Sequence, residues 1–319
     1  MRNPQRVHIV LVAGVLAGLL AGCAAFRGFG GSVEPTSSPT AAPTVAPTDA
    51  PRPTATPEPT PTSPQINHPT GATDVVLRME QGGGFVPMEF LVTQAPQFTL
   101  YGDGTVVFRP LPDASGVAFG DPLPPFLTGR VSEADVQALL AYALDTGHLR
   151  DAKDFYMDAT IADAPSTYFV IKADGVDKTV NVYALGIDVQ NSPDAADRAA
   201  FADLAKRLGS FETEARAGAV DAVVSYDPDL YRVTLFDQAG AEPQTQPIDW
   251  PWKDLTPADF VKGDEPGAVK MLTREQTSKL IDVPNGGQMS IWVKAPDGSV
   301  VEFGVRPLLP DEAAAYLQN

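Results

Sequence analysis

The sequence predicts an α+β fold: antiparallel sheet built from Asp-Gly hairpins, with helices packed on one face, and two similar lobes as one arrangement of it. Three observations predict it. Asp-Gly pairs sit three times between runs of β-branched and aromatic residues. Capped segments of helical periodicity lie between those hairpins. The order helix, then hairpin, occurs twice.

In chain order, the first element is not part of that fold. Met1–Arg6 carries Arg2 and Arg6, and Val7–Leu20 is a mostly apolar run of 14 residues. Basic, then apolar, then small is the order of a secretory signal peptide, and the run is shorter than the ~20 residues a spanning helix needs. Leu20-Ala21-Gly22-Cys23 follows. This resembles the lipobox of bacterial lipoproteins. The resemblance implies cleavage between Gly22 and Cys23, a diacylglyceryl group on the Cys23 thiol, and attachment to the outer side of a membrane. Two or three acyl chains anchor stably, because each buried CH₂ contributes about 0.8 kcal/mol.

Residues 23–73 are expected to be a disordered spacer. Pro and Thr alternate through Pro35-Thr36, Pro39-Thr40, Pro43-Thr44, Pro47-Thr48 and Pro57–Thr62, with few apolar side chains to offset chain ordering. Repeated Pro favours polyproline II at about 3.1 Å per residue, so Ala24–Ala72 would reach roughly 150 Å fully extended.

The folded region is then expected over 74–215 and 216–319. Phe98–Tyr101 leads through Asp103-Gly104 into Thr105–Phe108; Tyr168–Lys172 through Asp174-Gly175 into Thr179–Tyr183; Ser290–Lys294 through Asp297-Gly298 into Ser299–Phe303. Gly supplies the positive φ these turns require. Gly82-Gly83-Gly84 lacks a following Gly-Lys-Ser/Thr, so it reads as a turn or bulge rather than a phosphate loop. Between the hairpins, Ser132 caps a helix burying Val136, Leu139, Leu140, Ala143 and Leu144. Ser192-Pro193 opens one burying Phe201, Leu204 and Leu208, and Thr273-Arg274-Glu275-Gln276 is a capping box ahead of Leu280-Ile281. Thr256-Pro257 opens a short turn of helix. The twice-repeated helix and hairpin fits duplication and common hairpin vocabulary equally. Phe98–Val107, Gly129–Leu144 and Ala164-Pro165-Ser166-Thr167 also resemble a group of uncharacterised bacterial envelope domains, over roughly 90–215. Those motifs are structural, so the resemblance implies no catalytic residue.

Charge and composition narrow the function. Residues 74–319 hold 19 Lys/Arg against 37 Asp/Glu, a net charge of −18 that repels phosphate backbones, so nucleic acid is disfavoured as a partner. Cys23 is the single cysteine, which leaves the folded part no disulfide, thiolate metal site or Cys nucleophile. His148 is the one histidine in 74–319 and reads as a helix-end side chain. Asp151, Asp154, Asp158 and Asp163, and Asp227 with Asp229, lack the spacing of a calcium loop and read as solvated. No catalytic residue, cofactor or metal ligand is predicted. Trp250-Pro251-Trp252 is either a core plug or an aromatic loop for a partner. The first-ranked expectation is a non-catalytic binding or scaffolding module at the cell envelope, with a protein or glycan partner. It predicts no pocket of convergent polar groups with shifted pKa values. The alternative is an envelope hydrolase acting on glycans through two carboxyls about 5–9.5 Å apart.

Overall fold

The computed structural model describes residues 65–110, 121–157, 160–187, 193–238, 240–264, 266–282 and 286–318. Gly22, Cys23, most of the Pro/Thr spacer, Asp158 and Ser192 lie outside them. Residues 60–319 form one compact unit with an α+β fold.

Its first sheet has eight strands. β1 (Val75–Gly83) is followed by α1 (Met88–Thr93), β2 (Phe98–Tyr101), β3 (Thr105–Phe108) and β4 (Leu127–Arg130). Then come α2 (Glu133–Ala141), β5 (Phe155–Tyr156), β6 (Pro165–Ala173), β7 (Val176–Tyr183), α3 (Ala195–Gly209), α4 (Phe211–Glu214) and β8 (Asp221–Ser225). The spatial order is β5-β7-β6-β1-β2-β3-β4-β8. Asp103-Gly104 joins β2 to β3 and Asp174-Gly175 joins β6 to β7, each pair antiparallel. Gly104 has φ +85°, and a Cβ there would stand 2.7 Å from the Val131 carbonyl, so only glycine fits.

One face of this sheet is apolar at alternate positions. Leu77, Met79, Phe98, Leu100, Phe169, Ile171, Val180 and Val182 point from it into a core closed by α2, α3 and α4. Phe211 sits edge-on to Phe98 and Phe108, with ring centroids 4.8 and 5.3 Å away. Ser132 caps α2 by accepting from the Asp135 amide at 3.2 Å. The helix then loosens into a π turn over Tyr142–Thr146. α3 starts after Asp194, which makes no side-chain cap bond.

The second sheet has six strands: β9 (Leu230–Asp237), β10 (Ile248–Asp249), β11 (Val261–Lys262), β12 (Ala268–Thr273), β13 (Gln288–Lys294) and β14 (Val300–Pro307), in the order β10-β13-β14-β9-β12-β11. Asp297-Gly298 lies between β13 and β14. α5 (Arg274–Thr277) is a single turn behind the Thr273/Gln276 capping box, and α6 (Pro310–Leu317) ends the described chain. A 3-10 turn, Pro257–Asp259, follows Thr256.

Three details differ from expectation. Both sheets are mixed, because β5 pairs parallel with β7 and β10 with β13. β8 hydrogen-bonds to β4, so the chain stays in the first sheet until Ser225, beyond 215. The fold also begins before residue 74. Gln137 bonds both Ile66 backbone groups, at 2.7 and 2.9 Å, and His68 bonds the Pro69 carbonyl and Glu133.

The two sheets exchange helices. α1, inserted early, packs on β13 and β14 of the second sheet. Gly304 admits it: a Cβ there would be 3.0 Å from Val92 and 3.1 Å from Thr93. α6, at the far end of the sequence, returns the exchange. Asp311 accepts 2.7 Å bonds from Arg78 Nη2 of β1 and Tyr101 Oη of β2, on the face of the first sheet away from α2 and α3. Burial and the Asp311 charge push the Tyr101 hydroxyl above its usual range. Arg306 holds Glu312 through two bonds of 2.9 and 2.8 Å, and Glu312 accepts from the Leu309 amide. A third joint is the Leu123 amide on the Gly287 carbonyl, 2.9 Å.

Candidate functional site

Strand periodicity builds the site. On β14, Val301, Phe303 and Val305 face the core of the second sheet, so Glu302 points to the opposite face. There it is paired across from Trp292 on β13 and Phe236 on β9. α1 covers this face and brings Glu89. The loop after β9 brings Gln238, Glu242 and Gln244.

Glu302 is 2% exposed. Gln238 Nε2 donates to Glu302 Oε2 at 2.6 Å and lies 3.4 Å from Glu89 Oε1. One amide nitrogen is therefore shared by the two carboxylates, which also lie close to each other. Glu302 Oε1 has no hydrogen-bond partner, nor does the buried Nε1 of Trp292, which is 3% exposed. Burial pushes the Glu302 carboxyl above the usual carboxylate range. The Ser290 hydroxyl opposes that shift, and the negative charge of Glu89 adds to it. Ser290 Oγ lies near the carboxyl but falls short of hydrogen-bond geometry.

Ser290 is a second mark of the site. It is 1% exposed and has φ +55°, a left-handed backbone at a non-glycine residue, where the β13–β14 register breaks between Gln288 and Ile291. Such strain costs about 1–3 kcal/mol and persists only where the surroundings enforce it.

Trp292 lines two cavities. One, of about 230 Å³, is lined by Glu89, Gln238, Glu242, Gln244 and Glu302 with Trp292. The other, of about 400 Å³, is lined by Thr245, Gln246, Lys279, Asp282 and Ser290 with Trp292. Here the expected lack of convergent polar groups with shifted pKa values is not met. Among the described residues no group of three or more His, Cys, Asp and Glu could hold a metal.

The residues singled out by sequence lie elsewhere. Trp252 is 4% exposed, and its indole N–H is spent on the Gln276 carbonyl. Trp250 donates to the Leu255 carbonyl and sits edge-on to Trp252 at 5.3 Å, with Phe260 and Phe303 beside both. Of the two readings of Trp250-Pro251-Trp252, core plug or partner loop, the burial of Trp252 and the ring contacts of both fit the plug. Aromatic burial with both N–H groups satisfied is the reason. His148 has φ +57° just past the π turn, and its Nδ1 meets Asp197 Oδ1 at 2.9 Å, while Tyr156 Oη donates to Asp197 Oδ2. Asp227 pairs with Arg274. Neither reaches the Glu302 cavity lining. Sequence reasoning missed Glu302 and Trp292. The available signal was a single carboxylate inside Val300-Val301-Glu302-Phe303-Gly304-Val305, an otherwise apolar strand.

No family model matches this sequence, and no curated protein or solved structure matches it either.

Proposed function

We propose that this chain is a lipid-anchored extracytoplasmic binding protein, tethered through Cys23 and raised from the membrane by its Pro/Thr-rich segment. Anchoring is supported by Leu20-Ala21-Gly22-Cys23 behind a basic and then apolar leader. Binding rather than hydrolysis is supported by one observation: a single amide nitrogen, Gln238 Nε2, is shared by Glu302 Oε2 and Glu89 Oε1, which draws the two carboxylates together. A glycosidase instead keeps its two carboxyls about 5–9.5 Å apart across an open groove. A cavity of about 230 Å³ lined by Glu89, Gln238, Glu242 and Gln244 instead suits a ligand held by hydrogen bonds.

The test is acylation of the full chain, expressed with its own leader in a bacterium that processes lipoproteins. Wild type is expected to incorporate labelled palmitate and enter the detergent phase of a Triton X-114 extraction, and Cys23→Ser to do neither. Unlabelled wild type overturns the anchoring. Glycan turnover that Glu302→Gln abolishes overturns the non-catalytic reading.

A further inference from the structure

We infer that α1 is a flap held down on the second sheet by one proton shared between Glu89 and Glu302, and that it lifts from β14 as the pH rises. α1 moves in this way whether or not the adjoining cavity takes a ligand.

Two carboxyls crowd one amide nitrogen. Gln238 Nε2 lies 2.6 Å from Glu302 Oε2 and 3.4 Å from Glu89 Oε1, and Glu302 is 2% exposed. The groups around Glu302 are Glu89 of α1, Gln238 and Glu242 of the loop after β9, and Ser290 and Trp292 of β13; none is a cation. Phe236 of β9, paired across from it, is apolar. Two ionised carboxylates so close and so dry repel each other, whereas two that share a proton attract. A proton on Glu302 Oε1, which has no partner as an acceptor, makes that atom a donor to the carboxylate beside it. Burial, with the Glu89 charge adding to it, pushes the Glu302 carboxyl upward, in the direction a retained proton requires.

α1 is built to move. Its six residues are too few for a helix to hold itself in water, and Pro87 gives it no side-chain cap. The span is pinned on either side, by the Phe85 amide on the Asp163 carbonyl at 3.2 Å and by the buried Ala95. Lifting it breaks the Glu89 contact and uncovers Val92 and Thr93, which rest against Gly304, while β14 keeps its pairing with β9 and β13. Such local openings cost far less than global unfolding. Pro87 and Glu89 also form one wall of the cavity of about 230 Å³, so that cavity opens with the flap. The sign follows from linkage. Below the folded pKa of Glu302 the proton stays and α1 is closed; above it Glu302 ionises, repels Glu89 and regains water only when α1 leaves. Each unit by which closure raises that pKa is a tenfold shift between closed and open.

The experiment measures how well α1 shields a thiol. Val92→Cys places one under the flap, at a position 7% exposed, in the full chain in detergent micelles. Iodoacetamide labelling of the native chain is compared with that of the same chain in urea, at about pH 5 and about pH 8, which cancels the pH dependence of the thiol itself. The chain without the added cysteine is the blank for Cys23. Protection should fall about tenfold or more between the two pH values. With Glu302→Gln, whose amide donates at every pH, it should change less than about twofold, and Glu89→Gln should give a smaller fall than the parent. Val180→Cys, at a fully buried position on β7, should keep its protection throughout. Circular dichroism checks that each variant folds. The inference is overturned by equal protection of Val92→Cys at both pH values, by an equal fall with Glu302→Gln, or by a parallel loss at Val180→Cys, which marks global unfolding rather than a lifting flap.

Discussion

Asp311→Ala should destabilise the whole folded unit, although Asp311 lies near the end of the sequence. Its carboxylate accepts from Arg78 Nη2 and Tyr101 Oη, both at 2.7 Å. The side chains of Arg78 and Asp311 are 13% and 21% exposed, and Tyr101 is fully buried. Removing the carboxylate leaves a guanidinium mostly out of water and a phenol with no acceptor. Breaking a buried ion pair from one side costs about 3–5 kcal/mol, and the residual exposure puts this pair near the lower end, about 3 kcal/mol. For a unit of this size that is a fall in Tm of about 6–12 °C. Urea unfolding followed by circular dichroism measures it, with Arg78→Met/Asp311→Leu/Tyr101→Phe as the companion. The companion should recover much of the loss, because an apolar replacement of a buried pair is often neutral. A loss under about 1 kcal/mol for Asp311→Ala, or a companion as unstable as the single variant, refutes the role assigned to this joint.

Two further outcomes follow from burial. Because the folded-state pKa of Glu302 is raised, the native chain keeps a proton that the unfolded chain has released. That contribution to stability is present below the ordinary glutamate range and disappears as pH rises through the folded pKa. Glu302→Gln should therefore be more stable than wild type at neutral pH and lose less stability between acidic and neutral pH; urea midpoints at the two pH values that shift in parallel for both chains would contradict this. Trp252→Ala empties a core site shared with Phe260 and Phe303 and should cost about 3–5 kcal/mol by the same urea measurement, and a near-wild-type midpoint would contradict its placement.

The parts of the fold legible in the sequence are those whose cause is local. A positive φ at Gly104, Gly175 and Gly298 is a property of the turn itself, so Asp-Gly marks the hairpin wherever it occurs. The Ser132 and Thr273 caps are equally local, each closing on an amide three residues away. What escaped is decided at long range. Whether Phe98-Thr99-Leu100-Tyr101 has one or two buried faces depends on Asp311 and Leu309 lying behind it. The six residues of α1 carry no stripe of their own that points to β14. Trp250 and Trp252 stayed open between plug and display, because aromatic residues next to Pro fit both, and only Gln276 and Leu255 distinguish them. Glu302 was visible as a letter out of pattern, but its meaning required Gln238 and Glu89 from two other elements.

The exchanged helices constrain the order in which this chain can mature. α1 leaves the first sheet after β1 and finds its seat only on β14, against Gly304. A chain emerging N-terminus first can assemble the α2, α3 and α4 core while Val92 and Thr93 still lack their cover. Arg78 and Tyr101 likewise wait for Asp311. Contacts of such sequence separation form late and slowly. The folded unit thus stays incomplete until the segment that carries Asp311 has been delivered.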